Sequence, residues 1–165
     1  MRQLNDFRYN KALGGGALLD CGGYTLKYAS ILLGDTAKLD YAKSNYTDRF
    51  KVDLYGSAAL SNDKGITVQV AFGMDNNYKC ELEVWGSKGC FYTNRVLTAP
   101  DGFVPEAIIR TGNEEKKIVL PADDTFSKSI QVFKECIISN QKREEEYQTI
   151  LRQATLVDEF ITKSI

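Results

Sequence analysis

Hydrophobic and polar positions change period twice along the chain. Leu18, Gly22, Thr25, Ala29 and Leu33 recur at helical spacing, the stripe of an amphipathic helix over about 17–33 that turns one face toward a core. Gly34 and Asp35 follow, and a glycine just past the last turn is the usual stop. Between about Lys38 and Leu120 the period is two. Ile66, Val68, Val70 and Phe72 alternate with Thr67, Gln69 and Ala71. Tyr78, Cys80, Leu82 and Val84 alternate with Lys79, Glu81, Glu83 and Trp85. Residues 61–65 and 73–77 between these runs are short and rich in turn formers, which predicts hairpins. A strand over 52–60 is expected ahead of them, and Gly86 to Gly89 leads into another about 90–92. Residues 107–109 and 117–120 give weaker strand signals. Helical spacing returns after the start signal at 121–125, with Phe126, Ile130, Phe133 and Ile137 at i, i+4, i+7 and i+11. Residues 139–141 interrupt it. Tyr147, Leu151, Ala154, Val157 and Ile161 then share one side of a last helix, so helices are expected at about 123–138 and 144–163.

Helix, strand meander, then two helices is an α+β order. The clean alternation predicts an open, mainly antiparallel sheet, one face packed by helices and the other polar. With 165 residues and no linker or repeat, residues 1–165 are expected to form a single domain. A composition 43% apolar and 26% charged fits a globular chain.

A net charge of −1 supplies no electrostatic basis for binding nucleic acid or an anionic membrane. No apolar run approaches the roughly 20 residues of a membrane span, and Met1 to Asp6 carry no hydrophobic stretch of a signal peptide. Cys21, Cys80, Cys90 and Cys136 are scattered without a C-x-x-C pair, as expected of small buried side chains in a reducing compartment, by default the cytoplasm. There is no histidine. That removes Ser-His-Asp and Cys-His catalysis and the commonest zinc ligand, and no metal site is expected. Proton transfer falls to Tyr, Lys, Asp, Glu or Cys.

The most informative stretch is 14–34, GGGALLDCGGYTLKYASILLG. Gly14, Gly15 and Gly16 permit positive φ and close approach of another molecule ahead of a helix start. They do not make a phosphate loop. G-x-G-x-x-G and G-x-x-x-x-G-K-[ST] are both absent, and no hydrophobic strand precedes them. At 100° per residue Asp20, Tyr24 and Lys27 line up nearly opposite the apolar stripe. A carboxylate, a phenol and an ammonium thus stack beside the bend. A phenol titrates at about 10, and a neighbouring cation lowers that toward a useful range. The same residues equally suit a plain helix, with Asp20 answering the dipole, Tyr24 half-buried and Lys27 solvated. Gly22 and Gly23 in mid-helix cost about 1 kcal/mol each against alanine, which points to a close packing contact there.

Phe7 and Arg8 with the 14–34 segment resemble the signature that opens the C-terminal domain of the Gfo/Idh/MocA oxidoreductases. The run Glu83-Val84-Trp85-Gly86-Ser87-Lys88-Gly89 is similar to that family's Gly-x-x-Gly turn. Leu151-Arg152-Gln153, Val157-Asp158 and Ser164 resemble its C-terminal ending. The resemblance implies a glyceraldehyde-3-phosphate-dehydrogenase-like C-terminal domain with its sheet open to a homo-oligomer. It implies an upstream Rossmann domain holding NAD or NADP, and a carbohydrate-like small-molecule substrate. It implies that Tyr24 is the catalytic proton donor or acceptor, standing where many members have His, and that Asp20 is its catalytic partner. It further implies that Gly14, Gly15 and Gly16 lie near the cofactor and that Arg8 and Lys27 contact substrate. Many members carry Asp where this chain has Lys27. The dinucleotide fingerprint and the family's Glu-Lys-Pro segment are not in these residues. The chain is therefore expected to be a fragment of a longer enzyme, inactive alone. The competing readings are a stand-alone, non-catalytic binding or assembly module of the same fold, and a cofactor-free enzyme using Asp20 with Tyr24.

Overall fold

Val52, Leu54, Ala58 and Leu60 alternate along one face of a long central strand, and all four are buried. That strand, β2 (Phe50–Ser61), pairs antiparallel with β1 (Lys38–Thr47) and β3 (Thr67–Gly73) in the order β1-β2-β3. The computed structural model describes residue 3 and residues 5–47, 49–97 and 99–164. Met1, Arg2 and Leu4, part of the polar N-terminal lead, lie outside the described residues. The chain divides into two compact units, Met1–Asn76 with Glu144–Ile165, and Asn77–Arg143.

In the first unit, the apolar stripe of the glycine-rich helix lies on the sheet. A π-helical turn (Leu18–Gly22) runs into α1 (Gly23–Leu33), and Leu18, Leu26, Ala29 and Leu33 join one buried cluster with Val52, Leu54 and Leu60. Leu156 and Phe160 of α3 (Asn140–Lys163) complete it. Helices therefore pack on one sheet face, while Tyr41 and Tyr55 are exposed. Residues 38–47 show no clean alternation in sequence, yet form β1. Register shifts between Leu39 and Tyr41 and between Asn45 and Thr47 break the period.

Gly22 has the packing reason its mid-helix cost calls for. A Cβ there would stand 2.9 Å from the Phe72 ring, and one on Gly56 of β2 would stand 2.7 Å from the same ring. Phe72 thus lies against two bare glycines and meets Phe160 at a centroid distance of 5.5 Å. Larger side chains at 22 and 56 would lift the helix off the sheet.

In the second unit, β4 (Glu81–Gly86), β5 (Gly89–Asn94), β6 (Glu106–Thr111) and β7 (Glu114–Val119) form an antiparallel meander in chain order. Its register puts Leu82, Thr93, Ala107 and Ile118 in one cross-strand row. The sheet expected as one continuous surface is two separate ladders, because residues 74–80 leave the pairing. Tyr78 and Cys80, expected to open β4, serve the 95–97 segment instead. The Arg95 guanidinium sits 4.9 Å over the Tyr78 ring, and the Leu97 amide donates to Cys80 Sγ. α2 (Thr125–Ile138) is capped by Asp124, whose Oδ1 accepts from the Ser127 amide at 2.8 Å. Its stripe of Phe126, Ile130, Phe133 and Ile137 is exposed. The interruption read at 139–141 narrows to Ser139, in extended backbone between α2 and α3. Its hydroxyl accepts from the Lys142 amide. Among the described residues, no helix is long and apolar enough to cross a membrane.

Candidate functional site

The residues around the triple glycine are tied to one another before any ligand is considered. Asp6 and Asn10 cap two single 3-10 turns, Phe7–Tyr9 and Lys11–Leu13, and Gly14 leaves the second at φ +74°. Tyr9 anchors the segment by stacking on Phe50 of β2 at 4.1 Å. The amides of Gly14, Gly15 and Gly16 donate to the carbonyls of Lys11, Asn10 and Arg8 at 3.2, 3.0 and 2.9 Å. A Cβ on Gly15 would stand 2.4 Å from the Arg8 carbonyl oxygen, and one on Gly16 2.3 Å from Asp53 Oδ1. The bareness of these two glycines therefore serves the chain's own packing. Of the three, only Gly14 faces open space.

Asp53, a β2 residue 9% exposed, accepts the Leu18 amide on Oδ2 at 2.7 Å. A carboxylate here answers the unpaired N–H groups and positive dipole of a helix start. The Asp53 carboxylate thus fills this helix start, and the glycine amides are all engaged within the chain. Burial pushes the Asp53 carboxyl above the ordinary carboxylate range, and the Leu18 hydrogen bond offsets part of that. A folded-state value above the unfolded one means that the folded chain holds the proton more tightly. The resulting stability is complete below about pH 3.9 and is lost as pH rises through the folded value. Asp53→Asn cannot lose it. Thermal melts from pH 3 to pH 7 are expected to show the variant gaining on the native chain as pH rises; parallel curves would refute this.

Arg8 and Asp20, twelve positions apart, meet: Arg8 Nε donates to Asp20 Oδ1 at 2.7 Å. The guanidinium also reaches Asp6 Oδ1 at 3.4 Å and lies 4.5 Å over the Phe7 ring. The Asp20 hydrogen bond, more than the charge attraction, raises the Arg8 guanidinium further. Asp20 sits inside the π turn, where the Gly23 amide reaches back to the Leu18 carbonyl. An α-helical count of 100° per residue therefore does not carry from Asp20 to Tyr24. Tyr24, one residue into α1, is 60% exposed, and Lys27 is half-buried. Among the described residues no hydrogen bond joins either to the Arg8–Asp20 pair. The structure thus brings together Arg8, Asp20 and the glycine bend, with the Tyr24 phenol exposed just beyond them on the same helix.

Two residues of this neighbourhood were not read as site residues in the sequence, Gln153 being named only within the run that resembles the family's C-terminal ending. Asp53 takes the polar place between Val52 and Leu54 of an expected strand, so nothing local marks it as buried. Gln153, on α3, donates from Nε2 to the Gly23 carbonyl at 2.7 Å, a contact that its place in the C-terminal run does not reveal. Among the described residues, no group of three His, Cys, Asp or Glu side chains converges as a metal site.

Residues 2–92 match the GFO/IDH/MocA C-terminal domain. A dTDP-3,4-didehydro-2,6-dideoxy-alpha-D-glucose 3-reductase from Actinomadura kijaniata is 37% identical over 153 residues, covering 93% of this chain and 46% of that protein. One of the same description from Streptomyces violaceoruber is 32% identical over 166 residues, covering 95% and 48%. The crystal structure of KijD10, a 3-ketoreductase from Actinomadura kijaniata in complex with NADP and TDP-benzene, superposes with a TM-score of 0.91 at 37% identity. That match covers 98% of this chain and 50% of KijD10. The chain spans about half the length of the curated relatives it matches. It belongs to the GFO/IDH/MocA family, as that family's C-terminal domain.

Proposed function

We propose that residues 1–165 act as the substrate-binding C-terminal domain of a cytoplasmic, NADP-dependent reductase that converts a keto group of a dTDP-sugar to a hydroxyl. The observation that carries this is the Arg8–Asp20 pair at the glycine bend with an exposed Tyr24 four residues further along the same helical segment, in a chain 37% identical to a dTDP-sugar 3-reductase. Gly14, where an added Cβ would meet nothing within 4 Å, leaves room for a nicotinamide cofactor to approach, and the filled helix start leaves the phosphates to another domain. NADPH supplies the hydride when bound. Tyr24 donates its phenolic proton to the carbonyl oxygen of the sugar and is reprotonated from solvent. Asp20, fixed by Arg8, orients the reacting sugar, while Lys27 and the free edge of Arg8 hold its polar groups. Four free cysteines suit a reducing compartment.

The reading extends to a homo-oligomer in which a second copy covers the open face of the three-stranded sheet. There the register sets Tyr41 beside Ala59 and Gln69, and Lys43 beside Ser57 and Ala71. The test of the activity is direct. The full-length protein is expected to oxidise NADPH when given a 3-keto dTDP-sugar, and the isolated chain is expected not to. Turnover of the sugar with NADPH by the isolated chain, or none by the full-length protein, would overturn the assignment.

A further inference from the structure

We propose that Asp53 and Gln153 are positioning residues that clamp the π turn between them and thereby set the direction of the Tyr24 phenol. The proposal rests on the reading of Tyr24 as proton donor, and goes beyond it to two residues outside that helix. A π turn is rare and is found as a single widened turn, frequently at functional sites. Here four backbone groups at or beside it are met by side chains. Asp53 Oδ2 takes the Leu18 amide at its start, and Gln153 Nε2 takes the Gly23 carbonyl just past its end. Cys21 Sγ donates to the Ala17 carbonyl at 3.2 Å, and Thr25 Oγ1 to the Gly22 carbonyl at 2.8 Å. The first two come from β2 and α3, elements that can hold the turn against the rest of the unit.

The arrangement keeps features that packing alone would discard. Asp53 is a carboxylate buried between two apolar neighbours of the core. Among the described residues, Gln153 Oε1 is buried with no hydrogen-bond partner, a cost that a need for its amide N–H would account for. Gly16 carries φ +123° directly over Asp53. The geometric stake is large. Relaxing a π turn to α amounts to shifting the helix by one residue, about 100° of rotation. Asp20 lies within the turn and Tyr24 after it, so the shift would change the direction of the phenol relative to the Arg8–Asp20 pair. Misplacement of a reacting group by about 1 Å already costs on the order of 10²-fold in rate.

The experiment uses the full-length protein, with steady-state kinetics and hydrogen exchange of the peptide covering 18–24. Asp53→Ala and Gln153→Leu are each expected to lower kcat by about 10²-fold, with KM for the dTDP-sugar little changed. Exchange over 18–24 is expected to rise in both. Asp53→Asn keeps an acceptor oxygen for the Leu18 amide, so it is expected to restore most of kcat and the protection. Normal kcat in both first variants, or Asp53→Asn as impaired as Asp53→Ala, would overturn the clamp. If Asp53→Ala does not fold, Gln153→Leu at the other end carries the same test. Tyr24→Phe, run in parallel, separates the two ideas. Should it alone lose turnover, the clamp fails and the donor stands. Should it keep turnover, the donor reading fails, and the exchange data still decide whether Asp53 and Gln153 hold the turn.

Discussion

Tyr24→Phe in the full-length protein is expected to lower kcat by roughly 10²–10⁴-fold, the usual worth of a positioned proton donor. The substitution removes one oxygen and leaves the ring. Tyr24 is 60% exposed, and its hydroxyl has no hydrogen-bond partner among the described residues. Little folding stability should be lost: a surface change of this kind stays within about 0.5 kcal/mol. KM for the sugar nucleotide should move far less than kcat, because the lost interaction develops only as the carbonyl oxygen takes the proton. The check is kcat and KM with NADPH beside a thermal melt. Turnover near that of the native enzyme, with an unchanged melt, would remove Tyr24 from the mechanism.

Phe160→Ala should be the most damaging single change to the fold. Its side chain is fully buried, touches Phe72 at the point where Gly22 and Gly56 press on the same ring, and fixes α3 to the sheet. Truncating a core phenylalanine costs about 3–5 kcal/mol, which for a chain of this size lowers Tm by roughly 6–20 °C. The effect should reach function as well, since Gln153 rides on the same helix two turns earlier. A melt shifted by less than about 2 °C would mean that α3 does not close this core.

The hydrophobic period alone determined the helix at 18–33 and the alternation of β3, because each buries one face and must repeat every 3.6 or 2 residues. It also located the two C-terminal helices but not their buried sides, since the α2 stripe is exposed and α3 buries Leu156 and Phe160 while Tyr147, Leu151 and Ile161 stay exposed. It likewise exposed the bend at 14–16 and the Asp20–Tyr24 segment, since consecutive glycines and a carboxylate one turn from a phenol are local facts. β1 stayed illegible because two register shifts break its period, and the division into two ladders because Tyr78 and Cys80 alternate like strand residues yet bond elsewhere. Only tertiary structure decided that Arg8 meets Asp20, that a Cβ on Gly16 would run into Asp53, and that the helix opens in a π turn. Those features depend on contacts between residues 12 to 130 positions apart. A local pattern reports which face of an element is apolar, but it holds no record of which distant polar group arrives to satisfy an amide or a carbonyl left free there.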